Sequence, residues 1–190
     1  MYARERGLLV ALQELGSAVL DIGCGQDPIT PACARFDKAM SPSMDAHKLP
    51  YETASFQAVY SSHLLEHLER PEDALRDWWR VLSPCGQLIL QVPHRDLYEK
   101  KKHLPSRFNP DHKFFLLPDR DEAPHTYSLA GLVRRACPGA WLQRLEVLWD
   151  GYEPGGTVDE HPTGDYSILG IWFKTGRQAE PTRDVPPLRA

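Results

Sequence analysis

The run Ala18-Val19-Leu20-Asp21-Ile22, broken abruptly by Gly23-Cys24-Gly25, constrains this chain more than any other segment. A short apolar run closed by glycines reads as a strand buried on both faces that delivers a tight turn. Gly23 and Gly25 carry no side chain, so a ligand can approach the backbone amides of the turn directly, which suits an anionic or nucleotide-like group. A dinucleotide fingerprint would put a third small residue where Pro28 stands, and proline there weakens a nicotinamide reading.

The rest of the chain alternates helical and extended patterns. Leu8, Leu9, Leu12 and Leu15 share one helical face over Arg4 to Leu15, and Gly16 stops the pattern. Thr30 and Pro31 suit the N-cap and first residue of a very short helix, after which Arg35 to Lys38 reads as a strand and Met44 to Pro50 as a loop. Phe56 to Ser61 is aromatic and β-branched, a strand signal. Glu66 and His67 read either as a solvated helix start or, for His67, equally as a ligand contact. Pro71, Glu72 and Asp73 suit a helix first turn leading into the apolar stripe Leu75, Trp78, Trp79 and Leu82, which Ser83 to Gly86 ends.

Gln87 to Val92 is a further strand, Ser128 can cap a helix over Leu129, Leu132, Val133 and Ala136, and Leu142 to Trp149 and Ser167 to Phe173 supply two late strands. Residues 94–126 carry no sustained period and read as a functional or disordered loop. Residues 1–175 are expected to form one domain and residues 176–190, with Pro181, Pro186 and Pro187, a disordered tail. Alternation of this kind predicts an α/β fold with a mostly parallel sheet, whose sites lie in the turns after the strands ending near Ile22, Lys38, Ser61 and Val92.

Composition narrows the function. With 22 Lys plus Arg against 26 Asp plus Glu in 190 residues, the net charge of −4 gives no field that would gather nucleic acid or anionic lipid. No apolar run approaches bilayer length, and the leader-like segment Gly7 to Leu12 is cut short by Gln13 and Glu14, so no membrane contact and a cytoplasmic location are expected. Cys24, Cys33, Cys85 and Cys137 are scattered and predict reduced thiols.

Four segments then line up in order: Val19-Leu20-Asp21-Ile22-Gly23-Cys24-Gly25, Leu49 to Val59, His63-Leu64-Leu65-Glu66-His67-Leu68, and Arg80 to Gly86. Together they closely resemble the class I S-adenosylmethionine-dependent methyltransferases, in particular a small bacterial branch with a Leu-Glu-His element, over roughly residues 17–93. The resemblance implies a Rossmann-like, mostly parallel sheet with an antiparallel C-terminal strand, and S-adenosylmethionine as cofactor. It assigns the amino acid head of the cofactor to Gly23, Cys24 and Gly25 behind Asp21, the ribose to Asp37 next to Lys38, and the adenine to Asp45 and Ala46. It places the sulfonium and acceptor near Ser61, Ser62 and His63. The segment from Gly25 to Asp37 is shorter than the family's, and the family's third glycine falls at Asp27.

From His94 to Lys113 six basic residues (Arg95, Lys100, Lys101, Lys102, Arg107 and Lys113) face three acidic ones, Asp96, Glu99 and Asp111. A basic island at the end of a strand suggests an anionic small-molecule acceptor such as a sugar, glycan precursor or secondary metabolite, held by Tyr98, Arg107, Asn109 and His112. His63, His94 and His112 are the candidate general bases. The spacing of His94, His103 and His112 fits no metal site, and none is expected. A catalytically silent cofactor-binding or partner-binding protein of the same fold is the alternative, and the oligomeric state is left open.

Overall fold

The computed structural model describes residues 3–176. The N-terminal helix α1 spans Ala3–Leu15, and strands β1 (Val19–Ile22), β2 (Ala34–Phe36) and β3 (Phe56–Ser62) follow. Helix α2 (Pro71–Val81) runs into β4 (Leu82–Pro93), followed by the short helix α3 (Arg95–Tyr98), β5 (Phe115–Leu117) and β6 (Thr126–Ser128). Helix α4 (Leu129–Ala136) and strands β7 (Ala140–Leu148) and β8 (Ser167–Lys174) follow as the last elements among the described residues.

Six strands form one sheet in the order β2-β1-β3-β4-β8-β7, and β5 and β6 form a separate parallel pair. From β2 through β4 every pairing is parallel, and β8 is antiparallel to both β4 and β7. The reversed strand is thus β8, as the expected antiparallel C-terminal strand requires.

The strands read as continuous apolar runs because both sheet faces are covered. Leu20, Ile22, Val59, Leu88 and Leu90 point toward α2 and α4. Val19, Ala58, Tyr60 and Ile89 point to the other face, where Leu12 of α1 is buried. The alternation along β1 and β3 is therefore between two cores, not between core and water.

Helix α2 begins as expected, with Pro71 in its first turn beside Glu72 and Asp73. Ser128 caps α4, its Oγ accepting from the Gly131 N–H at 2.8 Å. Three expectations are corrected. No helix forms at Thr30 and Pro31; the segment is a set of turns, and the strand after it starts at Ala34. Ser83 to Gly86 does not separate helix from strand, because β4 starts at Leu82 and absorbs the segment at a register shift against β3 between Phe56 and Ala58, with Cys85 at φ +63°. Residues 94–126 hold a helix and two strands and bury Arg95, Glu99, Ser106 and His112. The expected disordered tail lies, after Gly176, outside the described residues.

Candidate functional site

The carboxyl ends of β1 and β2 build the first half of the site. Gly23 turns at φ +81°, and its N–H donates to the Phe36 carbonyl at 2.8 Å, locking the corner to β2. Gly25, at φ +51°, donates to Asp37 Oδ2 at 2.8 Å, while Arg35 Nη2 donates to the Gly25 carbonyl at 2.7 Å. Asp37 also accepts from the Ala39 N–H through Oδ1 at 2.7 Å. Asp37 therefore shapes the glycine corner as well as standing beside it.

A cavity of about 210 Å³ opens there, lined by Gly23, Asp37, Lys38, Asp45 and Ala46 of the expected cofactor residues. Phe36, Met44, Leu64 and Leu68 give it apolar walls, and Ile22, His47 and His67 complete it. Sequence reasoning weighed only His67 among these as a ligand contact and missed the other side chains. Apart from the Leu-Glu-His element, they carry no local signal and reach the cavity only through tertiary packing.

The loop bearing Asp45 is pinned from α2. Buried Trp78 donates from Nε1 to the Ala46 carbonyl at 2.7 Å, and Asp77 accepts from the Leu49 N–H at 2.6 Å. Arg80 donates to the Tyr51 carbonyl at 2.7 Å and the Leu49 carbonyl at 3.1 Å. Asp45 Oδ1 accepts from the His47 N–H at 2.9 Å and lies 2.7 Å from His47 Nδ1. Those two hydrogen bonds hold the Asp45 carboxyl below its ordinary range, keeping it anionic.

Asp21 and Ser61 face elsewhere. Asp21 Oδ2 accepts from the Ile29 N–H at 2.7 Å, and burial pushes the carboxyl up to about 6. Ser61 Oγ donates to the Ile22 carbonyl at 2.9 Å, fastening β3 to β1. Both brace the glycine corner from behind and lie outside the cavity wall, as do Cys24, Gly25, Ser62 and His63.

A second cluster lies where β3 ends. His63, at φ +50°, places Nε2 3.1 Å from Ser167 Oγ at the start of β8. The 3-10 turn Leu65–His67 follows, and Lys113 donates its backbone N–H to the Glu66 carbonyl at 2.8 Å, which draws His112 alongside. Glu66 is 1% exposed, so it is not the solvated helix start its sequence context suggests, and burial pushes its carboxyl up to about 8. Burial, with His112 and His67 nearby, lowers His63 to about 4.

The three histidines expected to serve as bases thus separate. His63 and His112 share the cluster, whereas His94 caps α3, its Nδ1 accepting from the Asp96 N–H at 3.2 Å. Of the expected acceptor ligands, Tyr98 packs its ring against His112 at 5.7 Å and Tyr166 at 4.9 Å. Asn109 forms a local turn, accepting from the Asp111 N–H.

Arg107 is ion-paired with Asp159 and donates from Nε to the Glu99 carbonyl at 3.2 Å. The other five cations are engaged too. Arg95 binds Asp96 and Glu122, and Lys102 pairs with Glu122. Lys113 pairs with Glu69, Lys101 bonds the Pro105 carbonyl, and Lys100 bonds the carbonyls of Pro154 and Glu160. Each cation of the basic island thus has a partner within the chain, Arg107 included.

Residues 38–90 match the family described as a methyltransferase domain. No curated protein matches the chain. Among solved structures, the chain is similar to the YcgJ protein of Bacillus subtilis, at 16% identity and a TM-score of 0.60, covering 93% of this chain and 100% of that one. It is also similar to an S-adenosylmethionine-dependent methyltransferase of Thermotoga maritima, a possible histamine N-methyltransferase, at 20% identity and a TM-score of 0.59, covering 88% and 87%. A third, an S-adenosylmethionine-dependent methyltransferase of Mesorhizobium loti, shares 17% identity at a TM-score of 0.55 over 90% and 98%. Residues 38–90 thus match a methyltransferase domain, and the sheet has the fold of these S-adenosylmethionine-dependent methyltransferases. No described helix is long and apolar enough to cross a membrane.

Proposed function

We propose that the cavity under Leu64 holds S-adenosylmethionine and that the enzyme methylates a small polar acceptor admitted beside His63 and Tyr98. The observation that carries this reading is the convergence of Asp37, Asp45 and the Gly23 corner on one cavity at the carboxyl ends of β1 and β2. Asp45 Oδ2 is placed to accept from an exocyclic amine against Ala46, and Asp37 to accept from ribose hydroxyls. Gly23 and Gly25 leave backbone room for the amino acid head. Phe36, Met44, Leu64 and Leu68 supply the apolar surface a purine needs.

When bound, the cofactor supplies a methyl group on a cationic sulfur. An acceptor would have to be held in line with that methyl group, and a hydroxyl acceptor would have to pass its proton to a base beside it. His63, fixed through Ser167, is the side chain we place beside the acceptor. Tyr98, Phe108 and Tyr166 form an aromatic group next to it, suited to a ring or sugar face. An anionic acceptor is not part of this proposal, because each of the six cations of the basic run already has a partner.

Transfer of a labelled methyl group to paired sugars and hydroxylated metabolites, each with and without a phosphate, tests this reading. Turnover on the uncharged member of a pair at least equal to that on its phosphorylated form is expected. Turnover confined to the phosphorylated members, or none on any member while the donor binds, contradicts it.

A further inference from the structure

Glu66 poses a problem that the cofactor cavity does not solve. It is 1% exposed, and neither Oε1 nor Oε2 has a hydrogen-bond partner. An orphaned buried carboxyl is costly, by several kcal/mol even after relaxation in an ionised group, so something is expected to meet it. The nearest candidates are ring nitrogens. His63 Nδ1 lies 3.7 Å from Glu66 Oε1, and His67 Nε2 and His112 Nε2 each lie 3.9 Å away. These gaps are too long for hydrogen bonds, so a proton on Glu66 would leave its O–H without an acceptor here.

We propose that Glu66, His67 and His112 bind one divalent transition-metal ion of the zinc, manganese or iron(II) kind. Their ligand atoms all lie within 4.8 Å of one another. Ligands about 2.1 Å from a tetrahedral ion sit roughly 3.4 Å apart, so closure asks for small side-chain rotations only. His112 is already oriented as a ligand, since its Nδ1 lies 2.7 Å from Glu99 Oε1, and Glu99 is 1% exposed. A carboxylate can only accept, which puts the proton on Nδ1 and leaves the Nε2 lone pair facing Glu66, the carboxylate–histidine arrangement that orients metal-binding imidazoles. Ser106 Oγ bonds the same carboxylate at 2.8 Å, fixing it in turn.

Two imidazoles with one carboxylate and no thiolate favour a borderline divalent ion over calcium or magnesium, which prefer all-oxygen shells. His63 stands by as a fourth ligand or as a wall of an open position. Because His67 also lines the cofactor cavity, the ion would sit between that cavity and the aromatic group around Tyr98. The inference rests on the Glu66 cluster alone and does not depend on which acceptor the enzyme takes.

The test uses the full chain, stripped with a chelator and titrated calorimetrically with Zn2+ and Mn2+, with metal content measured after dialysis. One equivalent per chain is expected, with micromolar or tighter affinity for at least one of the two ions. Glu66→Gln and His112→Ala should weaken it at least tenfold, while His103→Ala, at an exposed position, should leave it unchanged. Adenosylhomocysteine binding, measured alongside, reports separately on the cofactor cavity. Should a variant fail to fold, the visible spectrum of the Co2+-loaded wild-type chain reports nitrogen and oxygen ligation directly. No stoichiometric uptake, uptake unaffected by both cluster substitutions, or a Co2+ spectrum of fully hydrated ion would overturn the proposal and leave Glu66 to a proton or a buried water.

Discussion

Valine in place of Gly23 is expected to reduce affinity for S-adenosylhomocysteine at least a hundredfold. A side chain at this position meets two obstacles. The backbone sits at φ +81°, where an L-residue is strained by about 1–3 kcal/mol. A Cβ there would lie 2.9 Å from Leu64 Cδ2 and 3.0 Å from Leu64 Cβ, so Leu64 must move within the cavity it lines. Both effects deform the wall against which the cofactor is placed. Gly25→Ala isolates contact with the amino acid head, because a Cβ at Gly25 meets no protein atom within 4 Å and the added strain, at φ +51°, is only about 1 kcal/mol, so a loss of affinity there is not a deformation of the wall. Calorimetric titration of both variants, with denaturant melts as a control for folding, checks the expectation. Folded Gly23→Val with unchanged affinity would remove the corner from the site.

The second large effect is expected at Glu99. Its carboxyl accepts from Ser106 Oγ at 2.8 Å and the Arg107 N–H at 3.0 Å, and lies 2.7 Å from His112 Nδ1. Glu99→Ala leaves those donors facing an apolar gap, at about 1–3 kcal/mol for each buried group left unsatisfied, so a total loss of about 3 kcal/mol or more is expected. Glu99→Gln retains one acceptor oxygen and should lose less. Urea denaturation of the two variants decides the matter. A loss under about 1 kcal/mol for Glu99→Ala would mean that residues 94–126 are not the organised element their burial implies.

Much of the fold was legible because its signals are local. The strand pattern at Val19–Ile22 and Phe56–Ser62, the proline start of α2 and the serine cap of α4 each depend on neighbours within a few residues. The glycine corner was legible for the same reason, and Asp37 and Asp45, which the family resemblance singles out, line one cavity with Gly23.

What escaped was decided over long chain separations. The basic run looked like a ligand cradle because its partners lie elsewhere: Glu122 for Arg95 and Lys102, Asp159 for Arg107, and the carbonyls of Pro154 and Glu160 for Lys100. Glu66 could look solvated because the segment bonded beside it, where the Lys113 N–H donates to its carbonyl, comes from far along the chain. Trp78 reads as an ordinary core residue from its helical spacing, yet its indole N–H also holds the Ala46 carbonyl, and that pins the loop bearing Asp45.

The most direct measurement of the central claim is a crystal structure of the chain with S-adenosylhomocysteine. The purine is expected against Ala46 with its amine on Asp45, the ribose hydroxyls on Asp37, and the carboxylate end at Gly23 to Gly25. A nucleoside seated outside the cavity bounded by Phe36, Met44 and Leu64, or making no contact with either aspartate, would contradict the account.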